Sequence, residues 1–182
     1  MISYKDGKEL STISLPTCLS LFTEFLQKIA SSKLVDHLVL VGRNATLFDT
    51  PRLLLNGGVD FANRLEDMKV VFCDSLPVMK FLCSQKLITC STNKLGAIYE
   101  DLFHTNFEAH DALEDVKALR RILFTSPLQV STEIMITHGN TTSPRKALGL
   151  AMFFDRRQEV VQSYAGKLYF TDKTRGSVPA SL

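Results

Sequence analysis

The stretch "LVDHLVLVGRNATLFD" occupies residues 34–49, and its first part decides the fold class. Leu34–Gly42 is a mostly apolar run, which is typical of a strand buried on both faces, as in a parallel sheet. A second run of the same character, "KVVFCDS", follows at Lys69–Ser75. Helix-like sequence lies before, between and after the two runs. Strands that alternate with helices indicate an α/β layer architecture.

The helices are predicted from apolar spacing and from their start and stop signals. Ser14–Ala30 carries leucine and phenylalanine at helical spacing. A second helix is predicted to open around Thr50–Pro51 and to stop at Gly57–Gly58. Three shorter helices follow: "LPVMKFLC", "TNKLGAIYEDLF" with Asn93 as its cap, and one that begins at Asp111.

Composition excludes several classes of protein. The 182 residues are 45% hydrophobic and 22% charged, the balance of a soluble globular chain. The apolar runs are too short to span a bilayer, so no membrane partner is expected. The first residues, "MISYKDGKEL", carry no secretory signal pattern, which predicts an intracellular protein, nuclear or cytoplasmic. The four cysteines form no CxxC pair, which argues against a zinc knot and a disulfide framework.

The character of the chain changes after Thr125. Residues 1–125 form the predicted α/β domain, and residues 126–182 read as a C-terminal extension. We expect this extension to leave the domain through a linker near Gly139–Pro144. Its later part, "EVVQSYAGKLYFTD", is predicted as a helix or as a hairpin that turns at Ala165–Gly166.

The stretch "AHDALEDVKAL" at Ala109–Leu119 contains a helix start with two interpretations. Asp111 followed by Glu114 has the spacing of a capping box. His110 then stands just before the cap and Asp115 is the fourth helical residue, which brings an imidazole and a carboxylate side by side. The pair is either a solvated cap with an incidental contact or half of an acid/base and metal site.

Taken together, the two stretches resemble the DEDDh family of 3′–5′ exonucleases. Asp49 follows a predicted strand, at the strand end where α/β sheets place ligand sites. The second motif of the family is matched by Asn44, Phe48 and Asp49. Its third motif is matched by His110, Ala112 and Asp115. The resemblance covers roughly residues 15–123 and implies a ribonuclease-H-like fold.

The resemblance implies a phosphodiesterase that uses two Mg²⁺ or Mn²⁺ ions, held about 4 Å apart, to hydrolyse the 3′ end of single-stranded DNA or RNA. Asp49 and Asp115 would be metal ligands, and His110 would be the general base that activates water. Asn44, Phe48 and Arg43 would contact the substrate.

The chain departs from this family in two respects. The first motif, Asp-x-Glu on the first strand, is absent, so the fold is expected to lack its N-terminal strands. Arg43 stands where the second motif usually has histidine, and its guanidinium would compete with a cation for Asp49. Leu34–Gly42 would then present unpaired backbone unless other residues, such as a hairpin at Val160–Phe170, cover it.

Two functions follow as hypotheses. The first is a partial or degenerate 3′–5′ exonuclease domain that is inactive as this chain stands. The second is a non-catalytic exonuclease-fold module that binds protein or nucleic acid. The exonuclease-like C-terminal domain of promyelocytic leukaemia protein is one resemblance of this second kind.

Overall fold

A computed structural model describes residues 3–5, 8–10, 12–32, 35–88, 94–109, 111–125 and 128–171, with side chains described between 12 and 157. Asn93, the predicted helix cap, and His110 lie outside these residues. The elements are β1 (Ser3–Lys5), β2 (Lys8–Leu10), α1 (Leu15–Ser32), β3 (Leu38–Gly42), α2 (Asp49–Asp67), β4 (Val70–Asp74), α3 (Ser75–Ser84), α4 (Leu95–Phe103), α5 (Ala112–Phe124), α6 (Thr132–His138) and α7 (Pro144–Thr171).

The centre of the molecule is a βαβ unit. β3 and β4 run parallel, with Leu38 opposite Val70 and Gly42 opposite Asp74, and α2 connects them. A separate antiparallel pair is formed by β1 and β2. The predicted α/β class is therefore confirmed at this coarse level.

Helices cover both faces of the β3–β4 sheet. Because successive strand side chains point to opposite faces, Leu38 and Leu40 pack into one core and Val39 and Val41 into the other. The first core is built from α1, α2 and α7, and includes Leu26, Leu54, Leu65 and Leu148. The second is built from α3, α4, α5 and α6, and includes Met79, Ile98, Ile122 and Met135. The result is a three-layer arrangement of helices, sheet and helices.

β3 packs against helices on both faces, as predicted, but each of its five residues is only partly buried. The N–H of Leu38 donates to the Lys69 carbonyl oxygen at 3.2 Å. In a parallel ladder, alternate residues bond to the same neighbour, so Val39 and Val41 turn their N–H and C=O groups away from β4. Among the described residues, no other strand pairs with that edge.

The opposite edge of the sheet is closed by residues that the sequence predicts to be a linker. Thr142 and Phe72 exchange two backbone hydrogen bonds, at 2.9 and 3.0 Å. The Asp74 N–H donates to the Gly139 carbonyl oxygen at 2.6 Å. Gly139 fits here because a Cβ would overlap the Cys73 sulfur and the Met135 carbonyl oxygen. The segment near Gly139–Pro144 therefore lies along β4.

The predicted helix stop at Gly57–Gly58 is confirmed in part. At Gly58 the backbone leaves helical geometry, with φ 71° and ψ −171°, but a second helical segment of α2 follows at once and continues to Asp67. The later part of the chain was predicted as a helix or as a hairpin turning at Ala165–Gly166. Over that range the chain continues α7, so the helix alternative holds. The division of the chain at residue 125 stays a prediction. α7, which follows this point, packs on α2. The Arg145 N–H there donates to Glu66 Oε2 at 3.1 Å.

The cysteines differ in state. Cys18 is exposed and free, and Cys73 is buried and free. Cys83 is disulfide-bonded, although the absence of a CxxC pair argued against a disulfide framework.

Candidate functional site

A wide, open cavity lies at the carboxyl end of β3 and has a volume of about 1050 Å³. Its walls come from three parts of the chain: the end of β3 with the following loop, the start of α4, and one face of α5. Arg43, Asn44, Asp49 and Asp115 all line it. The two segments that the sequence singled out, about 60 residues apart, thus meet at one site. Phe48 is about half exposed and does not belong to the cavity wall formed by the described residues.

Asp74 holds the loop that follows β3. Its side chain is buried and accepts three backbone hydrogen bonds. Oδ1 accepts from the N–H of Asn44 at 2.8 Å and of Leu76 at 2.9 Å, and Oδ2 accepts from the N–H of Thr46 at 3.2 Å. Asn44 has a left-handed backbone, with φ 54°, so the loop is tightly folded. One carboxylate therefore caps α3 and shapes the wall of the cavity.

The glycine at the end of β3 leaves room for this loop. A Cβ on Gly42 would lie 2.8 Å from the Ala45 Cβ, which is closer than carbon atoms pack, and 3.8 Å from Oδ2 of Asp49. The Asp49 carboxylate consequently lies over the carboxyl end of β3. Asp49 is in the first turn of α2, where the helix dipole favours a negative charge.

α5 presents Asp115 from the other side of the cavity. The predicted cap is confirmed: Asp111 Oδ1 accepts from the N–H of Leu113 at 3.0 Å and of Glu114 at 3.3 Å. Asp115 is half-buried in the first turn of α5. Because His110 lies outside the described residues, the predicted pairing of its imidazole with Asp115 stays a prediction.

Among the described residues, three cations and two anions line the cavity. These are Arg43, Lys94 and Arg120 together with Asp49 and Asp115, and they carry a formal charge of +1. Most of the remaining wall is apolar and includes Leu76, Leu95, Phe107, Val116, Leu119 and Leu123. An apolar wall with a few convergent charged groups is the usual composition of a small-molecule or nucleotide site.

Arg120 and Arg121 have different roles despite being adjacent. Arg121 donates from Nη1 to the Tyr99 hydroxyl at 2.5 Å, and its guanidinium carbon lies 4.2 Å from the centre of the Phe103 ring. It therefore ties α5 to α4. Arg120 lines the cavity and is exposed.

Arg43 occupies an unfavourable position. Burial lowers the pKa of its guanidinium, and the nearby Asp74 carboxylate opposes that shift. The sequence led us to expect Asp49 to be its electrostatic partner, but the charge that acts on it is Asp74. Among the described residues, nothing accepts a hydrogen bond from the buried Nη1 of Arg43.

The described residues do not fit the two-metal centre that the resemblance implies. No three His, Cys, Asp or Glu side chains among them lie close enough together to hold a metal ion. Asp49 and Asp115 supply two carboxylates, whereas a pair of divalent cations needs more anionic ligands to offset their mutual repulsion. The assignment of these two residues as Mg²⁺ or Mn²⁺ ligands therefore stays a prediction.

Several residues that line the cavity or shape its wall escaped the sequence analysis. Asp74 could have been found, because an aspartate between a strand and "SLPV" has the position of a helix cap. Lys94 and Phe107 stand in no local pattern, and only the fold brings them to the cavity.

Comparison with family models, with curated proteins and with solved structures finds no match. Within the part of the chain that the structure describes, no helix is both long enough and apolar enough to cross a membrane.

Proposed function

We propose that this chain is a degenerate, exonuclease-like module that binds the end of a single-stranded nucleic acid in the β3–α5 cavity without hydrolysing it. One observation carries the proposal: Arg43, Asn44 and Asp49 line the same cavity as Asp115, although they come from distant parts of the sequence. The ribonuclease-H-like fold is part of the proposal, and the α/β layering supports it only at a coarse level.

The chemistry of the cavity suits a nucleotide. The three cations can contact phosphate oxygens, and the apolar wall with Phe107 offers a surface on which a base can stack. Contacts to phosphate carry no base readout, so DNA and RNA ends are both expected to bind.

Binding is tested by fluorescence anisotropy with single-stranded DNA and RNA oligonucleotides of the same sequence. Arg120→Glu is expected to weaken binding about tenfold, because it replaces a phosphate contact by repulsion. Lys80→Glu is the matched control, since Lys80 is exposed and lies outside the cavity. Equal weakening by the two variants would mean diffuse electrostatic attraction, and absence of binding by the wild-type chain would refute the proposal.

Hydrolysis is tested separately with a labelled oligonucleotide and Mn²⁺. We expect no release of nucleotides, because the described acids do not form a two-metal set. Mn²⁺-dependent release that His110→Ala abolishes would show instead that the chain is an active nuclease.

A further inference from the structure

We propose that the cavity selects nucleic-acid ends that carry a terminal phosphate monoester, and that Arg43 is the residue that recognises this group. The inference rests on the proposed binding of a nucleic-acid end and adds the chemical form of that end.

The Arg43 guanidinium has one nitrogen whose hydrogen bonding is not satisfied by the described residues. Its Nη1 is buried and has no hydrogen-bond acceptor among the described residues. Asp74 does not satisfy it: the two carboxylate oxygens accept three backbone N–H groups, and neither accepts a hydrogen bond from Nη1. A buried donor without an acceptor costs folding free energy, about 1–3 kcal/mol. An anionic oxygen that enters the cavity would offset this cost by drawing the guanidinium towards it.

A guanidinium and a phosphate monoester are complementary in geometry and in charge. A guanidinium presents a planar fork of N–H donors that bonds two phosphate oxygens at once. A terminal monoester carries a charge of about −1.5 to −2 at pH 7 and three oxygens that are free to accept. A diester within the strand carries a single negative charge. Arg43 is therefore expected to bind a phosphorylated end of a nucleic-acid strand more strongly than a diester within that strand.

Other charged side chains of the cavity also act on an anion that enters it. Lys94 and Arg120 favour it, and Asp49 and Asp115 oppose it. With two carboxylates present, inorganic phosphate alone is expected to bind weakly. A nucleotide also contacts the apolar wall formed by Leu95, Phe107 and Leu119, and this added contact favours it over the free ion.

The test uses three internally labelled oligonucleotides of one sequence, with a 3′-phosphate, with a 5′-phosphate or with hydroxyls at both ends. The wild-type chain is expected to bind one phosphorylated form about tenfold more tightly than the hydroxyl form. Arg43→Gln should weaken binding of the phosphorylated form about tenfold more than binding of the hydroxyl form, so that the difference between the two forms disappears. Arg43→Lys should keep part of it, because lysine retains the charge but loses the fork.

Thermal unfolding of the variants provides a second readout. Arg43→Gln removes a partly buried cation whose Nη1 has no acceptor among the described residues, so its melting temperature is expected to be equal to or above that of the wild type. A lower melting temperature together with unchanged end selectivity would assign Arg43 a structural role and overturn the inference. Equal affinity of the wild type for all three oligonucleotides would also overturn it but leave the proposed function standing, whereas absence of binding to any of them would refute both.

Discussion

The carboxylate of Asp74 organises the loop that carries Asn44 and leads to Asp49. It is the acceptor for three backbone N–H groups that would otherwise be left without partners near the sheet. Buried N–H groups without acceptors are costly. The arrangement of the cavity wall therefore depends on a residue that does not line the cavity.

Replacement of Asp74 tests this role. Asp74→Ala is expected to lower the free energy of unfolding by about 3 kcal/mol, because hydrogen bonds to a charged acceptor are lost together. Urea denaturation measures the change. Asp36→Ala is the matched control, since Asp36 is exposed, and its effect should stay within about 0.5 kcal/mol. Equal effects of the two substitutions would show that the Asp74 hydrogen bonds do not hold the loop.

A second residue-scale prediction concerns Cys73. Burial, with a smaller effect of the Asp74 charge, raises the pKa of this thiol from 9.0 to about 11. The folded chain therefore keeps the thiol proton in a pH range where the unfolded chain loses it. The stability that this thiol contributes is fully present below pH 9 and is lost as the pH rises towards 11, by up to about 1.4 kcal/mol for each pH unit.

Other groups titrate in the same range, so the comparison is between variants. The difference in unfolding free energy between wild type and Cys73→Ala should shrink as the pH rises from 9 to 11. The corresponding difference for Cys18→Ala, at an exposed cysteine, should stay constant. A constant difference for Cys73→Ala as well would contradict the raised pKa.

At the scale of elements, the sequence predicted correctly the features that depend on residues close together in the chain. Asp111 caps α5 as predicted because a cap is formed by residues two and three positions away. The apolar runs at Leu34–Gly42 and Lys69–Ser75 predicted β3 and β4 for the same reason. The packing of β3 on both faces was predicted, but its partial exposure was not, because exposure depends on how many strands flank it. The Thr142 bridge to Phe72 joins residues far apart in the chain and leaves no local signal.

Hydrogen exchange tests the edge of β3 with which no other described strand pairs. Val39 and Val41 turn their N–H groups away from β4, whereas Leu40 and Gly42 donate to it. We therefore expect the amides of Val39 and Val41 to exchange with deuterium much faster than those of Leu40 and Gly42. Nuclear magnetic resonance resolves the four rates. Slow exchange at all four residues would mean that something covers this edge.

At the scale of the whole molecule, the βαβ unit positions the cavity. The loop after β3 and the first turn of α2 form one wall, and the start of α5 forms the other. The sequence indicated the meeting of Asp49 with Asp115 only through a family resemblance, and both residues do line one cavity. It gave no indication of Lys94 or Phe107, because their position depends on how the helices pack against the sheet.

The central claim is that two distant segments form one site for a nucleic-acid end. The most direct test is a titration of the isotopically labelled chain with a short single-stranded oligonucleotide, followed by amide chemical shifts. We expect simultaneous shifts in residues 41–49 and 94–124 and no shifts in the exposed residues of α1. Shifts in only one of the two segments, or shifts centred on α1, would contradict this claim.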